Sequence, residues 1–335
     1  MSLPKSIKIY EVGPREGFQI EDGPISTGDK VELINKLNHT GISSIEVTSF
    51  VSPKWVPKMA DAEKVLHLME KKPNVEYRTV YLNINGLRRA LNNNVTIDGV
   101  LLLTASNTFS KRNTNKSIQK TLYDLKDWIT VYKESGLKVD QLALMAAFGC
   151  NFEGNITLPQ TVNIIQNAMS IAEENNEKIR KIKLADTMGW ANPQQIKRTI
   201  NIVKENWPEI EIILHLHDTR GLGLANAYAA MEEGVREFET AIGGLGGCPF
   251  AAVKGAAGNI ATEDLVFMCE EMGIDTSIDL EGLLECTKFA EEIVGHRLPA
   301  HLTTGGMFSD VRQSKWINQE KIYYNKIRWE NNDGF

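Results

Sequence analysis

Glu211-Ile212-Ile213-Leu214-His215-Leu216-His217-Asp218 is an apolar run that ends in two histidines two residues apart. Successive side chains of a strand point to opposite faces, so both imidazoles project from one side and form a ready pair of metal ligands. Two hydrogen-bonded polar residues at a strand end would read the same way, and the HxH spacing alone does not separate the two. The sequence that follows does: Thr219-Arg220-Gly221-Leu222-Gly223 breaks the run and opens a helical pattern. The pair therefore stands at the C-terminal end of a strand feeding a helix, where parallel α/β enzymes keep their chemistry.

Working outward, seven more short β-rich runs share this organisation: IKIYEVG (7–13), SIEVTSF (44–50), VEYRTVYL (75–82), GVLLLTAS (99–106), QLALMAAFG (141–149), KIKLADT (181–187) and EFETAIGG (237–244). Between them lie helical periodicities at 27–37, 61–71, 117–133, 158–174, 192–205 and 222–233. Eight βα units predict an α/β fold of the (β/α)8 TIM-barrel type, because each crossover packs a helix outside a parallel sheet and eight strands suffice to close it. A doubly wound open sheet is the alternative, but it wants a glycine-rich dinucleotide turn after the first strand, and GPREGFQ is not one. Helical patterns at 262–271 and 279–294 close the barrel. The expected division is a catalytic barrel over residues 1–295 and a C-terminal helical extension over 296–335.

With 37 basic against 43 acidic residues the net charge is −6, which gives no general attraction to nucleic acid or to an anionic membrane. Four scattered cysteines, Cys150, Cys248, Cys269 and Cys286, make neither a disulfide framework nor a CxxC zinc site, so a reducing compartment, the cytoplasm, is expected. No apolar run reaches spanning length, and the first seven residues carry no targeting pattern.

In a barrel, the C-terminal strand ends form one surface. They bring together Arg15, Glu16 and Gln19 after strand one, Glu46 and Ser49 on strand two, Lys183, Asp186 and Thr187 on strand six, and His215 and His217 on strand seven. After strand eight come Gly243 to Gly247, Cys248, Asn259 and Glu263. One carboxylate, two imidazoles and an amide oxygen, completed by water, suit an octahedral Mg²⁺ or Mn²⁺ better than zinc. Bland readings stand beside these: Arg15 and Glu16 as a surface ion pair, the glycines as a flexible turn, Cys248 as an inert thiol. Cys248 follows five residues of which four are glycine, where burial is disfavoured, so a functional thiol is the better reading.

The motifs EVGPREGFQ, IEVTSFVSPKWVPKMAD, HLHDTRGLGLAN, GGLGGCPFA and GNIATEDL make the chain, over residues 7 to 294, resemble the hydroxymethylglutaryl-CoA lyase family of the DRE-TIM metallolyases. The resemblance implies a metal-dependent carbon–carbon lyase acting on a 3-hydroxyacyl-CoA, with the metal held by Glu16, His215, His217 and Asn259 and Glu263 supporting the site from behind. It further implies that Arg15 neutralises an enolate oxygen, that Cys248 moves a proton, and that the enzyme is a homodimer. C2–C3 cleavage of such a thioester needs a Lewis acid, a base and a cation. Asp186 or His215 could be the base. Lys111-Arg112-Asn113 is the basic cluster expected on the CoA phosphates, and Gln19, Glu46, Ser49, Lys183 and Thr187 are the expected substrate contacts.

The chain departs from the family pattern near the centre. Glu16 stands where the lyases have Asp, Lys183 where they have Ser, Ile20 for Asn and Ala185 for Gly. A lysine inside a barrel is costly without an anion, so Lys183 is expected to hold either Glu16 or a substrate carboxylate. Two other functions keep the same residues: an acetyl-CoA/2-oxo acid condensing enzyme of the superfamily, and a degenerate paralogue that only binds acyl-CoA.

Overall fold

A computed structural model of the chain describes residues 3–247 and 256–308. Its frame is eight parallel strands: β1 (Lys8–Glu11), β2 (Ser44–Ser49), β3 (Glu76–Val80), β4 (Val100–Thr104), β5 (Gln141–Met145), β6 (Lys181–Ala185), β7 (Glu211–His215) and β8 (Glu237–Thr240). Their lateral order is β3-β2-β1-β8-β7-β6-β5-β4, so the first strand pairs with the last and the sheet curls on itself as a TIM barrel does. The remaining edges, β3 and β4, meet through the segment before β4. Thr96 N donates to Tyr77 O at 2.7 Å, Tyr81 Oη donates to Asp98 O at 2.9 Å, and Arg78 pairs with Asp98.

Each strand is followed by its covering helix: α1 (Thr27–Leu37), α2 (Ala62–Leu68), α3 (Ile84–Leu91), α4 (Ile118–Glu134), α5 (Leu158–Glu174), α6 (Pro193–Asn206), α7 (Gly223–Glu232) and α8 (Thr262–Glu271). Helix α9 (Leu280–Val294) packs beside α1, and α10 (His301–Gly305) follows. Starts are set locally by side-chain caps. Ser26 accepts from Asp29 N, Ser117 from Lys120 N, Thr157 from Gln160 N and Asn192 from Gln195 N. Inward stripes such as Leu33, Ile34 and Leu37 on α1, or Ile164, Ile165, Ala168 and Ala172 on α5, follow helical spacing and are buried.

Alternation along the strands sorts the two faces. Leu101 and Leu103, Leu142 and Leu144, Ile182 and Leu184, and Ile212 and Leu214 are fully or nearly fully buried under the helices, each contributing roughly 1.5–3 kcal/mol by removal from water. The alternate positions carry charge: Lys181 on β6 reaches Glu237 on β8 at 2.6 Å, and Tyr10 Oη on β1 donates to that same Glu237. Contacts between strands that are not neighbours can form only across the interior, so this barrel is filled by ion pairs where branched apolar residues are usual.

The sequence left two helices unassigned, α3 and a further short one, Asn107–Thr114, between β4 and α4. The helix Asn107–Thr114 is polar with weak periodicity, whereas α3 is amphipathic, burying Leu87 and Ala90 opposite exposed Arg88; at eight residues interrupted by Gly86 it is too short to stand out in the sequence. Helix α2 also stops three residues before the expected Lys71, since Met69 is already extended with Pro73 ahead.

Candidate active site

His215 is the last residue of β7, and the chain stays extended through His217 because a second segment pairs with it. Asp218 N donates to Gly258 O at 2.7 Å and Ile260 N to Leu216 O at 3.1 Å, which brings Asn259 opposite His217. Glu16 arrives from two strands away, on the π turn Gly13–Gly17 that follows β1. Its Oε1 lies 3.3 Å from His217 Nε2 and 3.7 Å from His215 Nε2, and the two Nε2 atoms are 3.0 Å apart. Among the described residues this is the group of carboxylate and imidazole ligands whose atoms all lie within 4.8 Å of one another. Two glycines permit the close approach. A Cβ on Gly246, whose φ is +94°, would fall 2.5 Å from Asn259 Nδ2, and one on Gly258 would fall 1.8 Å from Gly246 O.

Asn259 Nδ2 donates to Leu245 O at 2.9 Å and to Glu16 Oε1 at 3.1 Å, while no described residue donates to its buried Oδ1. Ser49 Oγ, at the end of β2, is likewise buried without a partner among the described residues. A buried amide oxygen left unpaired costs about 1–3 kcal/mol unless something else takes it up. One carboxylate oxygen, two imidazole nitrogens and this amide oxygen fit a divalent cation, so the residues present suit a metal.

Charge around the cluster is tightly paired. Arg15 donates through Nε to Glu46 and through Nη2 to Glu16 at 3.1 Å. Burial alone would raise the Glu16 carboxyl, but His215, Arg15 and His217 together hold it well below the carboxylate range. Burial also opposes charge on His215, yet Glu16 and Glu239 push its pKa up. Glu239 is brought down to about 2 against its own burial, chiefly by Lys183 and then His215.

The structure brings Arg15, Glu16, His215, His217, Glu46 and Asn259 together, joined by these contacts into one cluster. Lys183 is corrected: its ammonium pairs with Glu239, not with Glu16, because β8 presents Glu239 to it across β7. Asp186 is fully buried, and its two carboxylate oxygens accept from Trp190 N at 2.7 Å and Ala191 N at 3.0 Å, pinning the turn after β6. Thr187 Oγ1 accepts from Ala146 N at 2.9 Å, tying that turn to the end of β5. Gln19 sits partly exposed on the short helical turn Phe18–Ile20. Lys111 and Arg112 are exposed on the helix Asn107–Thr114, with Asn113 beside them and the Arg112 guanidinium 4.5 Å from the centre of the Phe152 ring. Glu263 is buried behind the site, accepting from Gly243 N and from Thr287 Oγ1. Cys248 lies outside the described residues.

Two residues escaped the sequence reading. Glu239 Oε2 is 3.0 Å from His215 Nδ1, and Glu11 is fully buried, accepting from Gly13 N, Ile242 N and Thr262 Oγ1. The available signal was spacing: Glu237 and Glu239 alternate with Phe238, so both acids share the inward face of β8.

Comparison with known proteins agrees with this geometry. The hydroxymethylglutaryl-CoA lyase of Bacillus subtilis is 38% identical over 300 residues, covering 90% of this chain and 97% of that one. A crystal structure of HMG-CoA lyase from the same organism superposes with a TM-score of 0.83 at 37% identity, covering 91% of this chain and 99% of that one. An HMG-CoA lyase from Acinetobacter baumannii, solved in complex with coenzyme A and 3-methylmalate, gives 0.80 at 38% identity, covering 91% and 97%. The HMGL-like family model matches residues 6–290, and with that extent of match and a shared barrel the chain belongs to the HMGL-like family.

Proposed function

We propose that this protein cleaves 3-hydroxy-3-methylglutaryl-CoA, or an analogue differing at C3, to acetyl-CoA and a 3-oxo acid. The observation that carries the reading is Arg15 lying against Glu16 of the carboxylate–imidazole cluster, a fixed cation beside a metal-competent site, in a chain similar to HMG-CoA lyases along its length. Glu16, His215, His217 and Asn259 would hold Mg²⁺ or Mn²⁺, which when bound supplies Lewis acidity toward the substrate oxygens.

The chain's own residues do the rest. Cleavage removes the proton of the C3 hydroxyl, turns C3–O into a carbonyl, breaks C2–C3 and leaves the electron pair on C2 of the acetyl-CoA enolate. Both nitrogens of His215 are committed, Nε2 toward His217 and Nδ1 toward Glu239, so it is not free to act as base. Asp186 keeps a second lone pair on each oxygen, and burial raises its carboxyl toward a more basic range, so it takes the hydroxyl proton. Arg15 faces the developing enolate oxygen, and Cys248 returns a proton to C2. Lys111, Arg112 and Asn113 hold the CoA phosphates, while Gln19, Glu46, Ser49 and Thr187 line the acyl pocket. The coenzyme A seen in the Acinetobacter baumannii relative supports an acyl-CoA substrate.

On this reading residues 1–295 are the catalytic barrel and 296–335 an extension, and the protein works as a homodimer. Among the described residues no helix is long and apolar enough to cross a membrane, and Cys150, Cys269 and Cys286 are buried and unpaired, which suits a cytoplasmic setting. The test is product identification from a panel of 3-hydroxyacyl-CoA thioesters with Mg²⁺ or Mn²⁺. His217→Ala should lower turnover by about 100-fold or more with a nearly unchanged unfolding transition. A panel in which no thioester is cleaved would overturn the assignment.

A further inference from the structure

The inward face of the barrel beneath the cluster holds a connected chain of side chains: Lys183 on β6, Glu239 on β8 and His215 on β7. Glu239 and His215 are neighbours in the β8–β7 register, and the Oε2 to Nδ1 distance is 3.0 Å. The other carboxylate oxygen, Oε1, accepts from Lys183 Nζ, which reaches it from two strands away. The carboxylate is thus held at both oxygens, one by a fixed charge and one by the imidazole, and its residue is only 8% exposed.

We propose that Glu239, anchored by Lys183, is the positioning residue that keeps His215 in the tautomer with the proton on Nδ1 and its Nε2 lone pair aimed at the cluster. This rests on the metal reading above, which makes Nε2 a ligand atom. A neutral imidazole donates from one nitrogen and accepts at the other, so a carboxylate on Nδ1 settles which nitrogen stays free. Rotation of the ring is blocked by the same contact. Lys183 is needed because Glu239 shares the interior with Glu46 and Glu16, and three carboxylates with Arg15 as their only cation would leave Glu239 repelled from its place. The lysine at this position, which the family resemblance could not explain, thereby acquires a partner and a reason.

The pair is tested by replacing both members with apolar residues of similar volume, Glu239→Leu with Lys183→Met, so that no uncompensated charge is left to unfold the barrel. Mn²⁺ affinity is read from the free-ion electron paramagnetic resonance signal, and the His215 tautomer from long-range ¹H–¹⁵N correlation on ¹⁵N-histidine-labelled, metal-free protein. The double variant should bind Mn²⁺ about 10–100-fold more weakly and lose the Nδ1–H tautomer at His215. Glu239→Gln, which keeps an acceptor for Nδ1–H, should retain the tautomer and recover part of the affinity. A neutral wild-type His215 carrying its proton on Nε2 and none on Nδ1, or a folded double variant binding Mn²⁺ as tightly as wild type, would overturn the proposal. Absence of Mn²⁺ binding by wild-type protein would instead overturn the metal reading, with the tautomer measurement still deciding the role of Glu239.

Discussion

Glu16 carries one methylene more than an aspartate would, and the π turn beneath it is the local structure that delivers this longer side chain to the histidines. In this backbone its carboxylate oxygen already stands 3.3 Å from His217 Nε2. Shortening it withdraws the oxygen by about one bond length, a displacement large enough to cost on the order of tenfold or more at a site where geometry is set to within about 0.5 Å. Glu16→Asp should therefore weaken Mn²⁺ binding and turnover together, as a metal titration beside steady-state kinetics will show. Lys183→Ser should not rescue it. The lysine's partner is Glu239, so no compensated Glu16–Lys183 pair exists to be restored by changing both. A double variant more active than Glu16→Asp alone would contradict this account.

At the scale of elements, the weakest junction of the barrel is the seam between β3 and β4. There the neighbouring strands lack the ladder that joins every other pair, and the bridge of Arg78 with Thr96 stands in for it. Arg78 is held by Asp98 and, at 2.8 Å, by Glu76, with its side chain only 17% exposed. Removing one partner leaves a guanidinium largely buried with half its compensation, so Asp98→Ala should destabilise the fold by roughly 3 kcal/mol in urea unfolding. Exchanging Arg78 and Asp98 together for Met and Leu should recover most of that loss. Recovery would show that the seam needs filled volume more than charge. A double variant as unstable as Asp98→Ala would show that the ion pair itself closes the barrel.

Across the whole molecule, Glu11 and Glu263 link the barrel to its closing helices. Glu11 binds the ends of β1 and β8 to α8, and Glu263 binds α8 to Gly243 and, through Thr287, to α9. Burial pushes both carboxyls up to about 7 from an ordinary 4.5. The folded chain thus keeps two protons that the unfolded chain releases between about 4.5 and 7. Their contribution to stability is full below the unfolded value and is lost as pH rises through the folded one, on the order of 3 kcal/mol for each group. Glu239, lowered to about 2, acts in the opposite sense, its contribution being lost as pH falls from about 4.5 toward 2. Unfolding free energy measured against pH should therefore decline between about pH 4.5 and 7, and Glu11→Gln, which resembles the protonated form, should flatten that decline. An unchanged slope in the variant would show that Glu11 is ionised throughout.

The alternation of apolar runs and the 3.6-residue helical stripes are local properties, written in neighbours a few residues apart. Eight strands, seven of their eight following helices, and the polar strand ends with Glu16, His215, His217 and Asn259 were legible from sequence for that reason. Helix α3 and the helix Asn107–Thr114 were not, because segments of eight residues, one broken by Gly86 and the other polar, become helical through the tertiary surface they cover. The choice of partners inside the barrel was likewise beyond the sequence. From the chain alone Lys183 had several anions to choose among, and a flexible four-carbon stem does not discriminate between them. Register and closure made the choice, since pairing β7 between β6 and β8 brings Glu239 within reach of both Lys183 and His215 while Glu16 is taken by Arg15 and the histidines. Sequence decided which chemical groups stand at the mouth of the barrel. Tertiary structure decided which of them touch, because contact between strands far apart in the chain is a property of the closed sheet and of no single segment.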